Sequence, residues 1–339
     1  PVGALTSSDF RFKMRVWFLK ESPSICPESS AGANTLISSR EGEIYRITPR
    51  RNDSVNDSWM TDSGRELYKQ VKAENRIETA RVGEESSNLA DAISSVSGLL
   101  EDKKVGIVGS CRSSVEEQYL LNKLAKNIKA KKFLRGHFGE DDGILLSADR
   151  SPNLRGALAT GFSTKYPSDQ LTEVSQAIKK KQIEALIVVG EDLLESGASE
   201  EDFKGIPIVF LGSHKNKTSD LAEVVIPTLT SFEKSGSFIN RNFRLQTFKQ
   251  AVPGPAGLLP DLHVLASLIN SFSEESDQSA DLAQVWKQMS KSSTSVFHGL
   301  SYAKIPGDGT QLDSKKWEDL PFVEKEALHF SSLKQLQEA

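Results

Sequence analysis

The chain has 339 residues, 37% hydrophobic and 26% charged, with a formal net charge of -4. Typical domains of about 100–200 residues put it at two or three packed units, and this composition excludes a disordered chain. The charge balance offers no basic face for nucleic acid. No apolar run approaches the roughly 18–20 residues that cross a bilayer, so direct membrane insertion is not expected.

Residues 1 to 75 are rich in Arg, Ser and Asn. Within them, NTLISSREGEIYRITPR reads as two short strands joined by a turn at Glu41-Gly42. From 76 to 100 the chain is first polar, then amphipathic, with Leu89, Ala92, Ile93, Val96, Leu99 and Leu100 near helical spacing. Five short apolar runs follow: 104–110, 143–149, 184–190, 206–212 and 223–227. Such runs are expected of strands buried on both faces of a parallel sheet. Between the first two, Val115, Tyr119, Leu120, Leu124 and Ile128 make a helical stripe, with Ser114 and Glu117 as a capping box. The alternation of strand and helix predicts an α/β unit. Residues 235–252 predict an extended segment or hairpin, 261–272 a helix, and DLAQVWKQM another helix. The tail from Glu324 to Ala339 predicts a peripheral helix.

Few side chains suggest chemistry. The loop after the first apolar run, with Gly109 and Ser110 before a capped helix, could hold an anion at the helix N-terminus. It lacks a full glycine-rich or Walker pattern, so Gly109 is read as allowing a tight turn. The two cysteines, Cys26 and Cys111, make no disulfide framework and fit a reducing compartment. Cys111 is read as a packing residue. His137, His214, His263, His298 and His329 show no metal-ligand spacing and are assigned surface or turn roles. Glu191-Asp192 and Glu140-Asp141-Asp142 flank strand ends, where ligands often bind, but charge runs are usually solvated loops. No catalytic constellation and no metal site emerges from the residues alone.

Four segments, in order, resemble the large iron–sulfur subunit of bacterial NADH:quinone oxidoreductase (complex I). PVGALTSSDFRFKMRVW (1–17) is similar to the stretch that follows a cluster-ligating cysteine in that family. Residues 22–65 resemble the small iron–sulfur domain shared with molybdopterin oxidoreductases. VGIVGSCRSSVEEQYLLNKLAK (105–126) resembles the first βα unit of that superfamily, and 218–252 its late signature. With no Met and no signal peptide before Pro1, the chain is expected to be a fragment or a processed piece.

The resemblance implies an α/β fold with mostly parallel, Rossmann-like sheet units of molybdopterin-oxidoreductase type and a small strand-rich N-terminal domain. It implies four parts: 1–21, the tail of an upstream ferredoxin-like cluster domain; 22–75, a degenerate 4Fe–4S domain; 76–272, the α/β domain; and 273–339, a helical C-terminal extension. It implies a structural part of an electron-transfer subunit, passing electrons from NADH towards quinone through clusters upstream. Its partners would be those upstream iron–sulfur domains and other peripheral-arm subunits, and its place cytoplasmic, peripheral to the inner face of the cell membrane as part of a complex. A molybdopterin-dependent oxidoreductase of formate dehydrogenase type is the alternative.

Departures from the family pattern bear on cofactors. The cluster pattern is Cys-x-x-Cys-x-x-x-Cys with a later Cys, since a cubane takes about four thiolates. The corresponding positions here are Cys26, Ser29, Ala33 and Thr61. Catalytic relatives place a Cys, selenocysteine or Ser on molybdenum in the region matching 131–143, which here holds none of these. Hence no cofactor is expected on this chain, although the full-length family subunit carries 2Fe–2S and 4Fe–4S clusters.

Overall fold

A computed structural model describes residues 7–272 and 277–323. The segment PVGALT and the predicted tail helix from Glu324 lie outside the described residues. The first sheet is antiparallel: β1 (Lys20–Ile25), β2 (Asn34–Arg40) and β3 (Glu43–Pro49), in that order. The predicted turn joins β2 to β3, and both Glu41 and Gly42 take positive φ, as two-residue hairpin loops favour. A short helix, α1 (Asp62–Glu66), follows with Thr61 as its cap.

The second sheet has seven strands. Its antiparallel margin is β4 (Ala80–Val82) and β5 (Glu85–Ser87). Next come α2 (Leu89–Leu100), capped by Asn88, and β6 (Val105–Ser110). Helix α3 (Val115–Asn127) starts with the predicted capping box of Ser114 and Glu117. Then follow β7 (Lys131–Arg135), α4 (Leu154–Ala159), α5 (Thr172–Lys179), β8 (Ala185–Val189), β9 (Ile208–Gly212), α6 (Lys217–Leu221) and β10 (Val224–Pro227). The order across the sheet is β5-β4-β10-β9-β8-β6-β7. From β10 to β7 every pairing is parallel.

Strand alternation splits the core in two. Ile107, Ile187, Val209 and Ile226 face α2, α3 and a later helix, α7 (Asp261–Ser271). Val108, Val188, Phe210 and Val225 face α5 and its flanking loops. Successive side chains of a strand point to opposite faces, so an apolar run buried on both sides serves both cores.

The predicted hairpin is β11 (Gly236–Ile239) with β12 (Arg244–Phe248). It links the two sheets. Ser237 donates from its N–H and its hydroxyl to Glu116 of α3, while Gln246 Nε2 donates to the Gly32 carbonyl of the small domain. After α8 (Leu282–Met289), the chain returns to add β13 (Thr310–Gln311) beside β12.

One predicted strand is absent. Residues 143–149 form bends and irregular chain, with only an isolated bridge between Phe138 and Asp149. The Asp142 carboxylate accepts the N–H groups of Ile144, Leu145 and Leu146 at 2.8–2.9 Å, which curls the backbone away from a ladder. The edge place is taken by β7, whose KKFLR sequence carried too short an apolar signal.

Candidate functional site

Two places gather polar groups. The first is in the small domain. Cys26 lies just past β1, Ser29 and Ala33 sit in the loop before β2, and Thr61 caps α1. All four line one cavity of about 40 Å³, together with Glu28, Met60, Ile144 and Leu145. The fold thus brings together the four positions singled out in the sequence. The Cys26 N–H donates to the Ala33 carbonyl at 2.8 Å, closing the loop. Thr61 accepts from the Gly64 N–H at 3.1 Å and donates its hydroxyl to Glu28. A Cβ on Gly64 would stand 2.7 Å from Thr61 Oγ1 and 2.9 Å from Cys26 Sγ, so only glycine lets α1 approach this closely.

A 4Fe–4S cube does not fit these residues. One thiol, two alcohols and a methyl group replace four thiolates. Burial pushes the Cys26 thiol up to about 12, and the Glu28 carboxylate adds to the rise.

The second place is the carboxyl edge of the parallel strands. In chain order the parallel strands stand second, first, third, fourth, fifth across the sheet, so the order reverses between β6 and β8. A crevice opens at such a reversal. Here it measures about 440 Å³ and is lined by Ser110, Arg112, Gly190, Ser213, His214, Lys215, Thr228, Thr230 and Lys234, with Pro27, Glu28 and Gln70 across it.

Two buried charges, Glu191 beneath Ser110 and Lys234 in the lining, are matched. Glu191, just past β8, is buried and accepts Ser110 Oγ at 2.5 Å, His137 Nε2 at 2.9 Å and Arg135 at 3.4 Å. Burial pushes the Glu191 carboxyl up, but His137, Arg112 and Ser110 outweigh it and hold it below the usual range. Lys234 bridges Glu117 at 2.7 Å and Asp261 at 2.9 Å. Burial opposes its charge, yet the two carboxylates hold the ammonium above its usual range. His214 is half-buried, with Nε2 on the Gln70 carbonyl at 2.8 Å and Nδ1 near Ser213 Oγ at 2.9 Å. Desolvation lowers its pKa, so it is neutral at pH 7.

Several sequence expectations need correction. Glu191 and Asp192 are not a solvated loop: both are buried, and Asp192 accepts from Thr218 and from the Lys217 N–H. His137 and His214 are not simple surface groups, because strand ends distant in sequence bring an acid and a carbonyl to them. Glu140-Asp141-Asp142 is exposed as expected. Cys111 is fully buried in the α/β core. The 131–143 region supplies an edge strand and the His137 contact. Among the described residues, no group of three or more His, Cys, Asp or Glu side chains is placed to hold a metal.

A doubly wound α/β domain, with a three-stranded antiparallel domain set across the mouth of its crevice, is the class that fold and site define. The sequence matches the molybdopterin oxidoreductase family over residues 87–271, more than half the chain. The chain belongs to that family. Residues 19–69 match the NADH-ubiquinone oxidoreductase NDSU1/NuoG-like 4Fe-4S domain. The NADH-quinone oxidoreductase G subunit of Rickettsia conorii is 34% identical over 148 residues, 41% of this chain and 22% of that protein. The mitochondrial NADH dehydrogenase [ubiquinone] iron-sulfur protein 1 of Solanum tuberosum is 34% identical over 138 residues, 38% of this chain and 19% of the relative. The NADH-quinone oxidoreductase G subunit of Streptomyces coelicolor is 33% identical over 133 residues, covering 37% of this chain and 16% of that protein. The matched part spans about a fifth of these relatives' length. No helix among the described residues is long and apolar enough to cross a membrane.

Proposed function

We propose that this chain is a structural part of an electron-transfer subunit of NADH:quinone oxidoreductase, and that it carries neither an iron–sulfur cluster nor a molybdenum cofactor of its own. Electrons would pass from NADH towards quinone through clusters held by upstream domains. This part would pack beside them and brace neighbouring peripheral-arm subunits at the cytoplasmic face of the membrane. Its division would follow the sequence: a linking tail to residue 21, a degenerate cluster domain to 75, the α/β domain to 272, and an extension beyond.

The observation that carries the reading is the small-domain cavity. Its four corners line one cavity, on a domain that matches a 4Fe-4S type, while three of them, Ser29, Ala33 and Thr61, carry no thiol and Cys26 alone does. The formate dehydrogenase alternative finds less support. Its metal ligand, a Cys, selenocysteine or Ser, would come from 131–143, which holds none of these.

Metal analysis of the purified chain tests both readings. The expected result is colourless protein with trace iron and no molybdenum. A stoichiometric 4Fe–4S EPR signal after reconstitution, or molybdenum with pterin fluorescence, would overturn it.

A further inference from the structure

We draw no further inference here: the strongest candidate, the crevice at the carboxyl edge of the parallel strands with Arg112 and Lys215 on its walls, belongs to the site already described, and the N-terminus of α3 that an anion would meet there is closed by its own capping box of Ser114 and Glu117.

Discussion

The crevice floor and the small-domain cavity both bury polar groups, and they keep them in opposite ways. At the crevice, Glu191 and Lys234 remain charged because each meets partners of opposite sign or hydrogen-bond donors from other elements. In the cavity, Cys26 is kept neutral by burial, and Thr61 turns its hydroxyl into a helix cap and a bond to Glu28. The first place needs every member of its network. The second keeps its shape through backbone contacts, among them the Cys26–Ala33 bond and the close pass of Gly64.

The sharpest break in that contrast is Glu191→Ala. Removing the carboxylate leaves Arg135, His137 and Ser110 around a void. Breaking a buried pair from one side costs about 3–5 kcal/mol. Urea unfolding should register that loss, and a change under about 1 kcal/mol would show the network to be dispensable.

Phe243→Gly probes the hinge of the linking hairpin. Phe243 has φ +55°, a backbone that glycine takes without strain, and its ring stacks on Trp317 at 5.1 Å. Deleting a buried ring costs about 3–5 kcal/mol, and relief of the left-handed backbone returns roughly 1–2. A net loss of about 2 kcal/mol is expected in the same titration, and a stabilised variant would refute the packing account.

On the cavity side, Cys26→Ala should cost only about 1 kcal/mol, the value of a small buried apolar group. NADH-to-quinone turnover per assembled complex should stay at the parental rate. A large fall with assembly intact would mean that Cys26 acts directly, and the two regions would then be alike.

The smallest effect is a pH dependence. His214 has a folded pKa below its usual 6.5, so the unfolded chain takes up a proton first as pH falls. Stability is present above 6.5 and is lost as pH drops below it. His214→Gln should flatten the melting temperature between about pH 7 and 5.5 relative to the parent, the range in which an imidazole titrates. An unchanged slope would rule His214 out as its source.

Much of this was legible in the sequence. The strands at 105–110, 185–189, 208–212 and 224–227, the capping box at Ser114, and the turn at Glu41-Gly42 are local signals, set by side-chain period and backbone preference. The four cavity positions were found through the family pattern, not through their chemistry.

What the sequence alone determined was the α/β class and the residue types at positions 26, 29, 33 and 61, because burial period and residue identity are written position by position. Only tertiary structure decided that 143–149 curls on Asp142 while KKFLR takes the sheet edge. Only it brought His137 and Ser110 to Glu191, and Lys234 between Glu117 and Asp261. These groups lie tens of residues apart, and whether a charge is solvated or paired depends on which strand ends meet, which no local pattern encodes.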